Sequence, residues 1–366
     1  MKIVYFIDHL RPDGAQFVLR QLVQGLAARD HVQTVICLNN SWDDALVKRL
    51  TEAGAQVRIV GKAPIIFGYG LLSTFLLLRR ERFDVAVTLL FVSDVIGRTL
   101  AHFARIPRIV TSIQTRDEFY RGWQRWLVRR TVRWADVVEL CSENIRDFAV
   151  KEEGVPSDRI CVIPHSIRVE DYAFPVEKEA VRAEFGLEPK DVLVVSLGRL
   201  TNQKGYDILL RAVAMLASQD VHVILAGRGE DEEKLHALAS SLGIGACVHF
   251  AGYRRDVPRL LGGLDIYTQP SRYEGMSLAI LQAMAAACPI VATAVDGTCE
   301  LIADGVHGWL VPPEDVSALA AAIQQACSDP SEARRRGEAA HQRVLDHFNL
   351  DKMITAWENM LLKREM

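Results

Sequence analysis

The stretch that decides the fold is VLVVSLGRLTNQKGYDILLRAV, residues 192–213. Residues 192–198 form a near-continuous run of apolar and β-branched side chains, as expected for a strand buried on both faces. Helical periodicity takes over at 207–217. The turn between them holds two cations, Arg199 and Lys204. A strand that feeds straight into a helix is the repeating unit of a parallel sheet with helices on both sides.

The same alternation extends in both directions. Downstream, strands are predicted at 221–227, 248–252, 264–270, 289–293 and 308–312, helices at 231–242 and 278–287, and closing helical segments from about 315 to 363. Upstream, strands are predicted at 2–7, 32–38, 56–60, 83–90, 108–113, 135–142 and 160–164, with helices at 15–28 and 43–53. Residues 165–191, HSIRVEDYAFPVEKEAVRAEFGLEPKD, are highly charged, contain two prolines and read as a linker. At 366 residues the chain exceeds one ordinary core, so the fold class is α/β with two doubly wound domains.

Composition narrows the function classes. With 49% hydrophobic and 24% charged residues the chain is expected to pack throughout. Cysteines at 37, 141, 161, 247, 288, 299 and 327 include no CxxC pair and no histidine at metal-ligand spacing. They read as reduced core thiols of a cytoplasmic protein, with no zinc site. The opening MKIVYFIDHL has too short an apolar run for a signal peptide. The longest apolar segment, residues 63–78, falls short of the roughly 20 residues that span a bilayer. The net charge of −3 is uneven, +6 over residues 1–168 and −9 over the rest, so the first half is expected to meet something acidic.

Ligands of open parallel sheets bind beyond the carboxyl ends of the strands. On the loop after strand 192–198, Arg199 and Lys204 suit a diphosphate, the guanidinium binding two oxygens in its plane and the ammonium acting as a point charge. In PSRYEGMSLAILQAMA, residues 270–285, Ser277 is a helix N-cap, and the amides of Met276, Ser277 and Leu278 would point out of the helix start, a natural anion site. Glu274, just ahead, cannot hold phosphate and would instead accept from hydroxyls of a neutral group attached to it. On the residues alone, solvated surface cations and a solvated loop glutamate remain the competing readings.

GRLTNQKGYDILLRA (198–212), GYRRDVPRLLGGLDIYTQPSRYEGMSLAILQAMAAACPIVAT (252–293) and DGTCELIADGVHGWLVPPEDVSALAAAI (296–323) resemble, in order and spacing, the C-terminal domain of retaining glycosyltransferases of family 4, which have the GT-B fold. The resemblance is dense over residues 190–327. In the first half only the strand pattern and RWADVVELCSENI (133–145) agree well. It implies two Rossmann-like domains facing a central cleft: residues 1–168, completed by a C-terminal helix at about 348–366, and residues 169–347, which bind a nucleotide-sugar donor, most often UDP-linked.

Carried onto this chain, the resemblance gives catalytic roles to Arg199 and Lys204 on the donor diphosphate and to Glu274 on donor-sugar hydroxyls. Gly275 and the amides of Met276, Ser277 and Leu278 would hold phosphate. The backbone around Tyr253 and Arg254 would meet the base, and Gly14, opening the first helix, would let its loop approach the diphosphate. It also implies retention of configuration, the leaving phosphate helping to deprotonate the acceptor, with no metal and no cofactor; no DxD motif is present. Several positions depart from the family pattern. Gln282 stands where a second glutamate usually contacts the ribose, Asp13 lies in the loop before Gly14, Gln114 and Thr115 replace a common His or Arg near the acceptor, and IPHSIR (163–168) replaces Asn-Gly-Val-Asp. His9 and His165 read as structural residues between the domains.

One segment of the first half has a different pattern. Arg121, Arg125, Arg129 and Arg133 recur every four residues, one stripe of a helix, beside Phe119, Trp123, Trp126 and Trp134. A basic helix with interfacial aromatics suits an anionic membrane surface; the alternative is tryptophans in the core under a solvated arginine face. No nucleic-acid recognition fold accompanies these charges. The sequence therefore reads as a glycosyltransferase moving a sugar to a glycan or lipid-linked acceptor, in cell-surface polysaccharide or glycolipid synthesis, cytoplasmic and peripheral on the inner membrane face. Gln114, Arg121, Trp123, Arg125, Trp126 and Arg129 are its acceptor or membrane side. A nucleotide-sugar epimerase of the same fold and a catalytically weak nucleotide-sugar-binding protein are the alternatives.

Overall fold

The computed structural model describes residues 1–11, 13–61, 65, 68–116, 120–172, 178–216 and 220–363. Two compact units emerge, Met1–His165 with Leu350–Met366, and Ser166–Asn349. In the first, strands β1 (Lys2–Ile7), β2 (Val32–Cys37), β3 (Gln56–Ile59), β4 (Val85–Leu89), β5 (Arg108–Ile113), β6 (Val137–Leu140) and β7 (Ile160–Val162) form one sheet. Their order is β3-β2-β1-β4-β5-β6-β7, and every pairing is parallel. In the second, β8 (Val192–Leu197), β9 (Val221–Ala226), β10 (Val248–Phe250), β11 (Ile266–Gln269), β12 (Ile290–Thr293) and β13 (Trp309–Val311) are ordered β10-β9-β8-β11-β12-β13, again all parallel. The strand order reverses between β1 and β4 in one sheet and between β8 and β11 in the other, the switch points where loops diverge to opposite faces and leave a crevice.

Central strands are buried along their length because both faces are covered, down to the last residue of β4 and β5. Edge strand β3 lacks that cover and is largely exposed. Strands expected at 135–142 and 160–164 are shorter, because the ladder joining β6 to edge strand β7 is only three residues long. The helix expected at 278–287 stops at Ala285, and Ala287 takes a φ of 53° just before Pro289.

The expected linker 165–191 is not one. It contains the helix Lys178–Glu184, whose buried Val181 lies so near Gly263 that a Cβ there would sit 2.5 Å from it. Arg182 fastens this helix through Asp265 at 2.6 Å and the carbonyl of Asp191 at 2.7 Å. With a single buried anchor, the helix has no apolar stripe for periodicity to reveal.

The last helix, Leu350–Leu361, belongs to the first unit. Trp357, Met353, Ile354, Met360 and Leu361 are buried, and Ile354 packs where Gly25 leaves room. Glu358 accepts from Arg29 at 2.7 Å and pairs with His31 at 2.8 Å, and Arg108 donates to the carbonyl of Met360 at 2.7 Å. On the unit's other side the helices Tyr69–Glu81, Phe91–Ala104 and Gly122–Thr131 pack side by side. Among the described residues no helix is long and apolar enough to cross a membrane. Truncating Trp357 to alanine removes the largest fully buried side chain of the final helix. The variant is expected to lose about 3–5 kcal/mol, measured by urea titration followed by circular dichroism.

Candidate active site

In the second unit the loops that follow β8 and β11 are knit together. Gly205, at φ 64°, approaches the carbonyl of Pro270 so closely that a Cβ would lie 2.1 Å from its oxygen. Arg272 N–H donates to the Gln203 carbonyl at 2.8 Å, and Gln203 Nε2 returns a bond to the Tyr273 carbonyl at 3.1 Å. The Arg272 guanidinium binds both carboxylate oxygens of Asp207, at 2.8 and 2.9 Å. From a third side, Gly297 presses on the carbonyl of Gly275, where a Cβ would be 1.7 Å away. The segment 271–275 is thus held by neighbours along its length.

Glu274 sits at the centre of this weave, 5% exposed. Its Oε1 accepts three hydrogen bonds, from Lys204 Nζ at 2.6 Å, Ser271 Oγ at 2.7 Å and Gln269 Nε2 at 3.0 Å. Among the described residues Oε2 makes no hydrogen bond, and it is not one of the buried polar atoms without a partner, so it keeps access to solvent. One oxygen is anchored and the other presented, a suitable arrangement for receiving a hydroxyl. Lys204 and Glu274, read separately from sequence, form an ion pair, and the ammonium retains two further N–H groups for an anion. Arg199 lies exposed on the same loop.

The helix Leu278–Ala285 begins at Ser277, whose Oγ accepts from the Ile280 amide at 3.3 Å. Met276 is buried, Leu278 half-buried at the helix start, and Gln282 half-buried further along that helix. Tyr253 is 49% exposed. The Arg254 guanidinium binds Asp256, at 2.7 and 2.8 Å, and Glu184, through three of its five N–H groups. Sequence reading missed Gln269 and Ser271. The signal for Gln269 was an amide residue closing the strand LDIYTQP, just before the loop.

In the first unit Gly14 is the first residue of the helix Gly14–Ala27, and Asp13 precedes it in extended conformation without a side-chain cap. At the end of β1 the Asp8 carboxylate accepts from the amides of Val92 at 3.0 Å and Ser93 at 2.7 Å, closing the start of helix Phe91–Ala104. Burial pushes the Asp8 carboxyl up while those amides pull it down. His9 is tied to Gln16, whose Nε2 donates to the His9 carbonyl at 2.9 Å.

Gln114 is engaged at both ends. Its Oε1 pairs with His165 Nε2 at 2.6 Å and its Nε2 donates to Ser112 Oγ at 2.5 Å, which in turn reaches Glu139 Oε2 at 2.5 Å. This chain runs inward from His165 to a glutamate 1% exposed. The side chain of Gln114 therefore serves the protein's own interior.

Of the arginine stripe, Arg125 pairs with Glu152, and Arg129 donates to the carbonyls of Lys151 and Glu152, at 2.5 and 2.9 Å. Arg121 and Arg133 are exposed. Trp123 and Trp126 are 57% and 59% exposed rather than in the core, while Trp134 stacks on His102 with ring centroids 4.8 Å apart. Phe119 and part of the apolar run 63–78 lie outside the described residues; its described part begins the helix Tyr69–Glu81. The thiols are all free, but Cys299 is exposed, contrary to the expectation of a core position. Among the described residues no cluster of His, Cys, Asp and Glu could hold a metal ion.

Burial raises the Glu139 carboxyl to about 8 against the Ser112 hydrogen bond. In the unfolded chain it would titrate near its ordinary value, so between pH 4.5 and about 8 the folded form holds a proton that the unfolded form has released. This contribution to stability falls as pH rises through that window. Glu139→Gln is expected to flatten that fall and to be more stable than wild type at pH 8.5, as measured by urea denaturation at pH 5.5 and 8.5.

Residues 177–343 match the family model "Glycosyl transferases group 1", and residues 12–171 match "Glycosyltransferase Family 4". The chain is 30% identical to the lipopolysaccharide core biosynthesis mannosyltransferase LpcC of Rhizobium leguminosarum bv. viciae over 268 residues, 71% of this chain and 73% of that one. It is 31% identical to the lipopolysaccharide core biosynthesis glycosyltransferase LpsE of Rhizobium meliloti over 183 residues, 50% of this chain but only 53% of that relative. In structure it is similar to Anabaena Alr3699/HepE, crystallised in complex with UDP-glucose, with a TM-score of 0.89, 22% identity and coverage of 99% of this chain and 100% of that one. This chain belongs to the glycosyltransferases of the GT-B fold.

Proposed function

We propose that the protein transfers a sugar, with retention of anomeric configuration, from a UDP-sugar to a glycan or lipid-linked acceptor in cell-surface polysaccharide or glycolipid synthesis. The observation that carries this reading is the Glu274 carboxylate, one oxygen anchored by Lys204, Ser271 and Gln269 and the other open, at the start of a capped helix. The UDP-glucose bound by the Anabaena neighbour and the names of the two lipopolysaccharide relatives support the donor and acceptor classes.

In the proposed reaction the bond between the anomeric carbon and the diphosphate oxygen breaks as the acceptor hydroxyl attacks from the same face. Charge grows on the departing oxygens, and Arg199, Lys204 and the amides at the start of helix Leu278–Ala285 bind them more strongly as it does so, lowering the barrier. The acceptor proton passes to the leaving phosphate. Glu274 Oε2 accepts from a sugar hydroxyl and fixes the ring. Gln282 would meet the ribose as a neutral acceptor, which is weaker than a carboxylate by about 1 kcal/mol. The reading needs no metal, so a chelator is expected to leave the rate unchanged.

A panel of nucleotide sugars, assayed by thermal stabilisation and slow donor hydrolysis, tests the assignment. At least one UDP-sugar is expected to bind at millimolar concentration or below, and Glu274→Ala and Lys204→Ala are each expected to reduce hydrolysis at least tenfold. Absence of binding by every donor would refute the transferase reading. Conversion of the donor to its epimer without acceptor would favour the epimerase, and binding without turnover the catalytically weak protein.

The proposal includes cytoplasmic placement on an anionic membrane face. Trp123 and Trp126 on the helix Gly122–Thr131, Phe103 on the helix beside it, and Tyr69, Leu72 and Leu76 on the third are all more than half exposed. Arg121, Arg130 and Arg133 add exposed charge nearby in sequence. Flotation with anionic and neutral vesicles is expected to show binding to the anionic ones only, weakened by about 1 kcal/mol for each exposed arginine replaced by alanine. Equal recovery with both vesicle types would count against the membrane face.

A further inference from the structure

Gln269, the last residue of β11, is 2% exposed and carries a buried amide side chain. Its amide makes three hydrogen bonds. Nε2 donates to Glu274 Oε1 at 3.0 Å, and Oε1 accepts from Tyr267 Oη at 2.9 Å and from Ser277 Oγ at 2.8 Å.

Chemistry settles which way the amide faces. A carboxylate only accepts, so the NH2 group must be turned to Glu274. Ser277 Oγ already accepts from the Ile280 amide, so its hydroxyl proton is directed to the Gln269 carbonyl. One buried amide therefore joins the N-cap of helix Leu278–Ala285 to the carboxylate four residues upstream of that helix.

We infer that Gln269 is a positioning residue for the donor site, holding the Glu274 carboxylate and the start of helix Leu278–Ala285 in a fixed mutual geometry so that sugar and phosphate are received together. The inference rests on the donor-site reading above, and Gln269 itself touches no substrate. Lys204 and Ser271 also hold Glu274 Oε1, but neither is bonded to Ser277. The amide is suited to this place because an apolar residue would leave two buried hydroxyls without an acceptor, and a second carboxylate would lie against Glu274.

The test is the split between donor KM and kcat in donor hydrolysis by the whole protein with the UDP-sugar that turns over fastest in the panel. Gln269→Leu removes one of the three donors to Glu274 Oε1 and the acceptor of the Ser277 hydroxyl. It is expected to raise donor KM about fivefold to tenfold while kcat falls by less. Gln269→Glu, nearly isosteric, is expected to raise KM further, because a second carboxylate replaces the donor that faces Glu274. It also decides the matter if the leucine variant fails to fold. A merely structural role would lower the melting temperature and leave KM where it is in wild type, and that result would overturn the inference. Glu274→Ala, assayed in parallel, separates the two claims. If it keeps wild-type hydrolysis, the donor-site reading fails. If it is inactive while the Gln269 variants keep wild-type KM, only the positioning role fails.

Discussion

The contact on which the second unit's site depends is between backbones, Gly205 against the carbonyl of Pro270. β8 and β11 are neighbours at the point where strand order reverses, so the loops leaving them start side by side. They can merge into one surface only if nothing projects between them, and a side chain at 205 would. The absence of a Cβ, at a φ of 64° that glycine adopts without strain, lets Lys204 come within 2.6 Å of Glu274. The Arg272–Asp207 pair and the Gln203–Tyr273 bond then hold the loops there.

The two units treat a buried carboxylate in opposite ways. Glu274 is surrounded by three donors, one of them charged, and keeps one oxygen open to solvent. Glu139 has a single serine hydroxyl for company, and burial pushes it up to about 8. It is a neutral acid at the end of a chain that begins at His165, where the N-terminal segment of the first unit ends. The donor count around each group separates a site that handles charge from a polar filament inside a sheet.

Much of the architecture was legible because continuous apolar runs joined by helical periodicity have few other solutions. Strand ends were read too long where edge pairing limits them, as at β6 and β7, and the helix Lys178–Glu184 was hidden by its charge. At the site, Arg199, Lys204, Glu274 and the N-cap Ser277 were all visible as residue types on loops beyond strand ends. What could not be read was their partnership: that Lys204 pairs with Glu274, that Gln269 bridges Glu274 and Ser277, and that Gln114 turns inward to His165 and Ser112. Exposure of Trp123 and Trp126 was equally unreadable, since helical spacing gives the stripe but not what covers it.

By itself, then, the sequence determined the class of fold, the alternation of strand and helix, and the loops on which charge and capping residues gather. These follow from local periodicity and residue chemistry. Only the tertiary structure decided which of those residues meet, because residues about 70 positions apart in the chain, such as Lys204 and Glu274, are brought together by strand order. Strand order is set by packing of the whole sheet, and no local pattern encodes it.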